Sequence, residues 1–408
     1  MRRRAFLQLG CAAMAAPWAA RLHAAARGAS TVDDYWSRVL GRMPPGLAAV
    51  AAAPEHEVQL RAVRVRRDAD GHATFDTHDH GLAPRRWFAA ASVAKLPMAL
   101  LMAERVHALG LDAHAVIAVD APPATGAWPA DEPLAERFGR GLARTFAVSD
   151  NAPYNRWYEL LGGDAIHARL AELGYPHARL VSRLGSSDAD ANRRTGGGSV
   201  RAADGRIAAR LAPAHAQARH FPFGRALKGT GWQRDDGAVD AGPHDFSTGN
   251  FLPLADSLRM LQAFVRPDSV PAHQRWRIDG ALRSQLLRLL ALRPRDSDDP
   301  RYDEAAHPDG YARWLLVGDG AQRYPDGVGV FGKTGMAYGY LSEVAYLVDA
   351  ASGAELLLAA SIHVNADGVF NDDRYEYDTI GRPFLAALGR AVLAVERDAT
   401  GRLAPSQP

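Results

Sequence analysis

Three short stretches carry residue types that can do chemistry together: Ser92-Val93-Ala94-Lys95, Ser149-Asp150-Asn151 and Lys333-Thr334-Gly335. A serine hydroxyl is a weak nucleophile at its own pKa and needs an adjacent base. Lys95, three residues on, falls on the same face of a helix and within hydrogen-bond reach. The helix start also brings the Ser92 backbone N–H to the positive end of the dipole, where an oxyanion is stabilised. The Lys333 ammonium and the Thr334 hydroxyl, at the end of a strand, suit a substrate carboxylate, and the strand edge suits a peptide-like substrate.

Lysine usage sharpens this reading. Among 48 basic residues only Lys95, Lys228 and Lys333 are lysines, so two of the three stand inside the motifs. Arginine cannot be deprotonated, whereas a buried lysine can lose its proton and act as a base. Lys228, in Lys228-Gly229-Thr230-Gly231, lacks the Lys-Thr-Gly order and reads as a loop residue. His78-Asp79-His80 has no partners at metal-ligand spacing and reads as a solvated loop after a hairpin. Gly196-Gly197-Gly198 has neither the lysine nor the context of a phosphate loop and reads as a flexible turn.

The elements that must position these residues follow from periodicity. A helix is expected over 31–43, from Val32, Tyr35, Trp36, Val39 and Leu40. Val58, Leu60, Val63 and Val65 alternate as a strand, Asp68 to Gly71 turns, and Ala73-Thr74-Phe75 begins the return. Residues 92–109 read as a buried helix with Pro97 tolerated in its first turns. Helices broken near Ser149 and at Gly162-Gly163 follow over 131–175, and 193–250 reads as loop or insertion. Helices at 252–264 and 279–292, strands at 328–331, 342–348 and 355–362, and a helix at 383–395 complete the order. That order implies an α/β (α+β) fold: an antiparallel sheet built from both chain ends, flanked by helices and interrupted by an all-helical lobe.

Composition is that of an ordinary globular protein, with 47% apolar and 23% charged residues and no charge block that would point to nucleic acid. Residues 1–26 read as a signal peptide, Arg2-Arg3-Arg4 preceding Phe6-Leu7 and a short apolar run, with a twin-arginine character. That run is too short to leave a stable membrane span. Its removal takes away four arginines and no acid, moving the formal charge from +2 to −2. The single cysteine, Cys11, lies within it, so the mature chain has no disulfide; a lipidated Cys11 is the alternative. The expected organisation is a catalytic domain over 27–400, with 27–90 and 326–400 as the sheet lobe, 91–325 as the helical lobe, and a tail at 401–408.

In these three motifs, in Phe88-Ala89-Ala90-Ala91-Ser92, in Gly162-Gly163 and in Tyr338-Gly339 leading into Glu343-Val344-Ala345-Tyr346, the chain resembles the class A β-lactamase-related serine hydrolases. The resemblance implies a β-lactamase/transpeptidase-like fold, no cofactor or metal, a periplasmic location, and a β-lactam or cell-wall peptide as substrate. It implies that Ser92 is acylated, that Lys95 is its proton partner and that Ser149 relays a proton to the leaving nitrogen. Asn151 would bind the substrate amide, and Thr334 and Gly335 would line its site. Lys333 would support the field, and the N–H groups of Ser92 and Met336 would form the oxyanion hole. The chain departs from the family in two ways. It carries insertions near 193–245 and 293–325, and it lacks the glutamate that stands four residues before an asparagine after the second motif. Two registers are open there: one puts Leu184 at that position, the other Asp188 with Asn192. Alternatives to a β-lactamase are a cell-wall DD-peptidase and a penicillin-binding sensor.

Overall fold

The computed structural model describes residues 34–401 except 69, 124–127 and 321–322. The expected signal peptide, Cys11 and residues 402–408 lie outside them. The chain divides into units at Asp34, and every other described residue belongs to the second unit.

Helix α1 (Asp34–Leu40) buries Tyr35, Trp36 and Val39, and α2 (Pro45–Val50) opens on a proline whose missing N–H costs nothing there. Strands β1 (Gln59–Arg67) and β2 (Ala73–His80) form the expected hairpin, with Val63 opposite Thr77. Asp68 Oδ1 accepts from the N–H groups of Asp70 and His72, which closes the turn. His78-Asp79-His80 is thus the end of a strand rather than a loop. Asp79 forms two 2.7 Å bonds with Arg61, and His78 stacks on Tyr35 at 4.4 Å. These side chains alternate on the pleat, a pattern their polarity hid.

The segment between the hairpin and the last strands begins with a 3-10 turn, Ala91–Ala94, and the almost wholly buried α3 (Lys95–Ala108). Then come β3 (Val116–Val119), β4 (Ala135–Arg137), α4 (Phe138–Ala147), α5 (Asn151–Leu161), α6 (Gly163–Glu172) and α7 (Ala189–Arg193). They are followed by β5 (Gly198–Arg201), β6 (Ile207–Leu211), α8 (Leu254–Val265) and α9 (Gly280–Leu290). The expectation of an all-helical lobe needs correction: β4, β3, β5 and β6 pair in that order as an antiparallel sheet. Two-residue and three-residue strands also run through 194–245, which is therefore not plain loop. Such strands are too short to show alternation, and Gly and Pro masked them. Gly196-Gly197-Gly198 is likewise no flexible turn. A Cβ on Gly197 would lie 2.3 Å from the Leu211 carbonyl oxygen and one on Gly198 2.1 Å from that of Ala118, so glycine permits close backbone approach.

The chain ends with β7 (Val328–Ala337), β8 (Tyr340–Asp349), β9 (Glu355–His363) and α10 (Arg382–Gly401). The main sheet runs β7-β8-β9-β1-β2, antiparallel throughout, and so joins both ends of the chain. Alternation along β9 builds two cores. Leu356, Leu358 and Ala360 pack with Phe384, Leu388 and Val392 of α10, while Leu357 and Ala359 face the core that contains α3 and α8. A buried ion pair, Arg64 to Glu396 at 2.7 Å, fastens α10 to β1.

Candidate active site

Ser92 sits in the 3-10 turn that runs straight into α3, and Lys95 is the first residue of that helix, so their side chains share one face. Ala91 enters the turn at φ +44°, a conformation unusual for alanine. Gly335 of β7 packs against this entrance: a Cβ there would lie 2.2 Å from the Ala90 carbonyl oxygen. Only glycine lets the strand come so close.

Lys95 Nζ donates to Ser92 Oγ at 2.8 Å, to Ser149 Oγ at 3.2 Å and to the Ser149 carbonyl. Lys333 Nζ donates to Ser149 Oγ at 2.7 Å and to the Thr334 carbonyl at 3.0 Å. The Ser149 hydroxyl thus lies between two fully buried lysines, and Ser149 itself adopts φ +63°. Burial lowers the Lys95 amine to about 7, although the Asp150 carboxylate opposes the shift. Burial also pushes Lys333 well below its ordinary value, and repulsion from Lys95 and Arg313 adds to this. Two ammonium ions in this space are disfavoured, so free amine exists near neutral pH.

Ser92 and Ser149 open onto a cavity of about 590 Å³ that Thr334 and Met336 also line, while Lys95 and Lys333 are fully buried behind the two serines. Thr334 meets it only in part, because its hydroxyl donates to the Ala312 carbonyl at 3.1 Å. Asn151 is not brought in: it is exposed at the first position of α5 and does not line the cavity. The loop after the second motif supplies no carboxylate in either register. Leu184 exchanges 2.9 and 3.1 Å bonds with the Asn155 side chain. Asp188 is exposed and caps α7, accepting from the Ala191 N–H at 2.9 Å, and Asn192 is buried with its Oδ1 on the Arg183 N–H. None of the described residues lining the cavity is acidic.

Sequence reasoning missed Tyr311, Trp314 and Arg382, which form a wall of the cavity from the second insertion and the start of α10. Arg382 lies over the Trp314 ring and pairs with Asp378 at 2.5 Å. Glu343, fully buried in β8, fastens this wall by accepting from the N–H groups of Trp314 at 2.8 Å and Leu315 at 2.9 Å. A glutamate within a strand rich in apolar residues was the available signal for it. Insertions with little periodicity gave none for the rest. Lys228, read as a loop residue, instead lies in a two-residue strand and pairs with Glu57 at 2.7 Å. Asp68, Asp70 and His72 bring ligand atoms within 4.8 Å of one another, but they are exposed and Asp68 serves the hairpin turn.

Residues 67–213 match a family model described as the Beta-lactamase enzyme family. No curated protein matches the chain. Among solved structures it is similar to a β-lactamase from Sphaerobacter thermophilus, with 17% identity, 91% of this chain and 99% of that chain covered, and a TM-score of 0.46. It is also similar to a β-lactamase from Desulfarculus baarsii, with 19% identity, 88% and 98% coverage, and a TM-score of 0.47. The matched segment 67–213, about a third of the chain, contains Ser92, Lys95 and Ser149, so this part of the chain is similar to the β-lactamase enzyme family.

Proposed function

We propose that this protein is a class A-like serine hydrolase that opens β-lactam-like amides through an acyl-enzyme on Ser92. One observation carries the reading: the continuous hydrogen-bonded run from Ser92 Oγ through Lys95 Nζ and Ser149 Oγ to Lys333 Nζ at the cavity. Neutral Lys95 takes the Ser92 proton as Oγ attacks the amide carbon, and the oxyanion is held by the N–H groups of Ser92 and Met336. As the C–N bond breaks, the leaving nitrogen receives a proton through Ser149, whose hydroxyl is polarised by Lys333. The product is an ester on Ser92 with a free amine.

Release of that ester needs a water activated by a base. The described residues of the lining offer no carboxylate for it, which favours a long-lived adduct and, as a second reading, a DD-peptidase or a penicillin-binding sensor. Residues 1–26 would deliver the protein to the periplasm, where both β-lactams and cell-wall peptides occur. The test pairs a fluorescent penicillin with a chromogenic cephalosporin. A Ser92-dependent adduct that outlasts many acylation times is expected, with little colour change. Rapid turnover would restore an efficient β-lactamase, and absence of Ser92-dependent labelling would overturn the reading for penicillins.

A further inference from the structure

We propose that Arg144 is a positioning residue that holds the Ser149-Asp150 corner, and with it the hydroxyl shared by Lys95 and Lys333. The proposal rests on the reading of these residues as the reacting centre. Ser149 stands at φ +63°, where a residue with a Cβ is strained and stays only if its surroundings hold it.

Arg144, in the last turn of α4, grips the corner twice. Its carbonyl accepts from the N–H groups of Val148 at 3.3 Å and Asp150 at 3.2 Å. Its guanidinium donates through Nε at 2.9 Å and Nη2 at 2.6 Å to Asp150 Oδ2. The other oxygen of Asp150 accepts from the Ala152 N–H at 2.9 Å and caps α5. One arginine therefore ties the end of α4, the strained serine and the start of α5 into a single joint.

The guanidinium is itself fixed from behind. Glu132 accepts from it at 2.7 and 2.9 Å and Glu136 at 2.8 Å, and both glutamates are held by the fully buried Arg156 at 2.5 and 2.7 Å. Arg140 extends the network from Glu136 at 2.9 Å to Asp299 of the second insertion at 3.0 Å. Electrostatically, Asp150 and Lys333 are the charged groups that face Lys95, and Asp150 favours its ammonium form. By neutralising Asp150, Arg144 also keeps the Lys95 amine free.

Because the chain has only three lysines, labelling the whole protein with lysine enriched in ¹³C at Cε gives three signals, with Lys228 beside Glu57 as internal reference. In Arg144→Met the Lys95 midpoint is expected to rise by about one pH unit and the Lys333 signal to move, while Lys228 stays in place. Asp150→Asn, which keeps a capping oxygen but removes the charge, is expected to lower the Lys95 midpoint. Acylation measured about two pH units above each midpoint, where the base is free in every variant, should remain at least about tenfold slower in Arg144→Met, because the hydroxyl is misplaced. Unchanged Lys95 and Lys333 signals in folded Arg144→Met would overturn the proposal, and full recovery of acylation at high pH would reduce Arg144 to a counter-ion. If that variant does not fold, an unchanged Lys95 midpoint in Asp150→Asn overturns it instead. The titration uses no substrate, so a wild type that fails to label at Ser92 defeats the proposed hydrolase without deciding the role of Arg144.

Discussion

Lys95 can serve as a base only because the protein refuses to solvate its charge. With its amine at about 7, the free base fills in as pH rises from 6 to 8, whereas an ordinary lysine would stay almost wholly protonated there. Acylation should therefore climb with pH through a midpoint near 7 and level off above about 8, a limb measurable with a fluorescent penicillin. Lys95→Met removes the base while matching the stem in an enclosed site. It should stay folded and acylate at least about a hundredfold more slowly, the usual scale for a general base. An arginine at this position would instead bury a permanent charge in a fully enclosed site, which makes it a poorer probe of the base. Near-normal labelling of Lys95→Met would remove Lys95 from the mechanism.

Between elements, the decisive contact is that of β7 with the turn carrying Ser92. Gly335→Ala sets a methyl group against the Ala90 carbonyl, which cannot move without displacing Ser92. We expect a loss of about 1–3 kcal/mol in denaturant unfolding, the range for overpacking, together with acylation at least about tenfold slower. The loop from Leu184 to Asn192 behaves differently. Asp188 caps α7 at the surface, so Asp188→Asn, which retains a capping oxygen, should leave the release rate of a Ser92 adduct unchanged. Slower release in that variant would return Asp188 to the chemistry.

For the whole molecule, the proposed export bears on folding, because the two cores and the buried ion pairs would have to form on one side of the membrane or the other. The paired arginines at the N-terminus lead us to expect transport of the folded protein. Replacing Arg3 and Arg4 by lysine should then leave it in the cytoplasm, as fractionation and immunoblotting would show, while normal periplasmic yield would point to a different route. Sequence by itself determined the first hairpin, the helix after Ser92 and the closing strands, because alternation along 59–67 and the apolar runs after Ser92 and over 355–363 are local signals that survive without neighbours. It also determined that Ser92 and Lys95 share a helix face, since three residues of spacing fix that. What it could not contain is distance between remote segments. Only tertiary structure brought Lys333 to Ser149 across 184 residues, turned the Thr334 hydroxyl to Ala312 and left Asn151 outside the cavity. The short strands of 194–245 and the wall formed by Tyr311, Trp314 and Arg382 were decided at the same level. Their conformation is set by long-range pairing and burial rather than by any periodicity of their own.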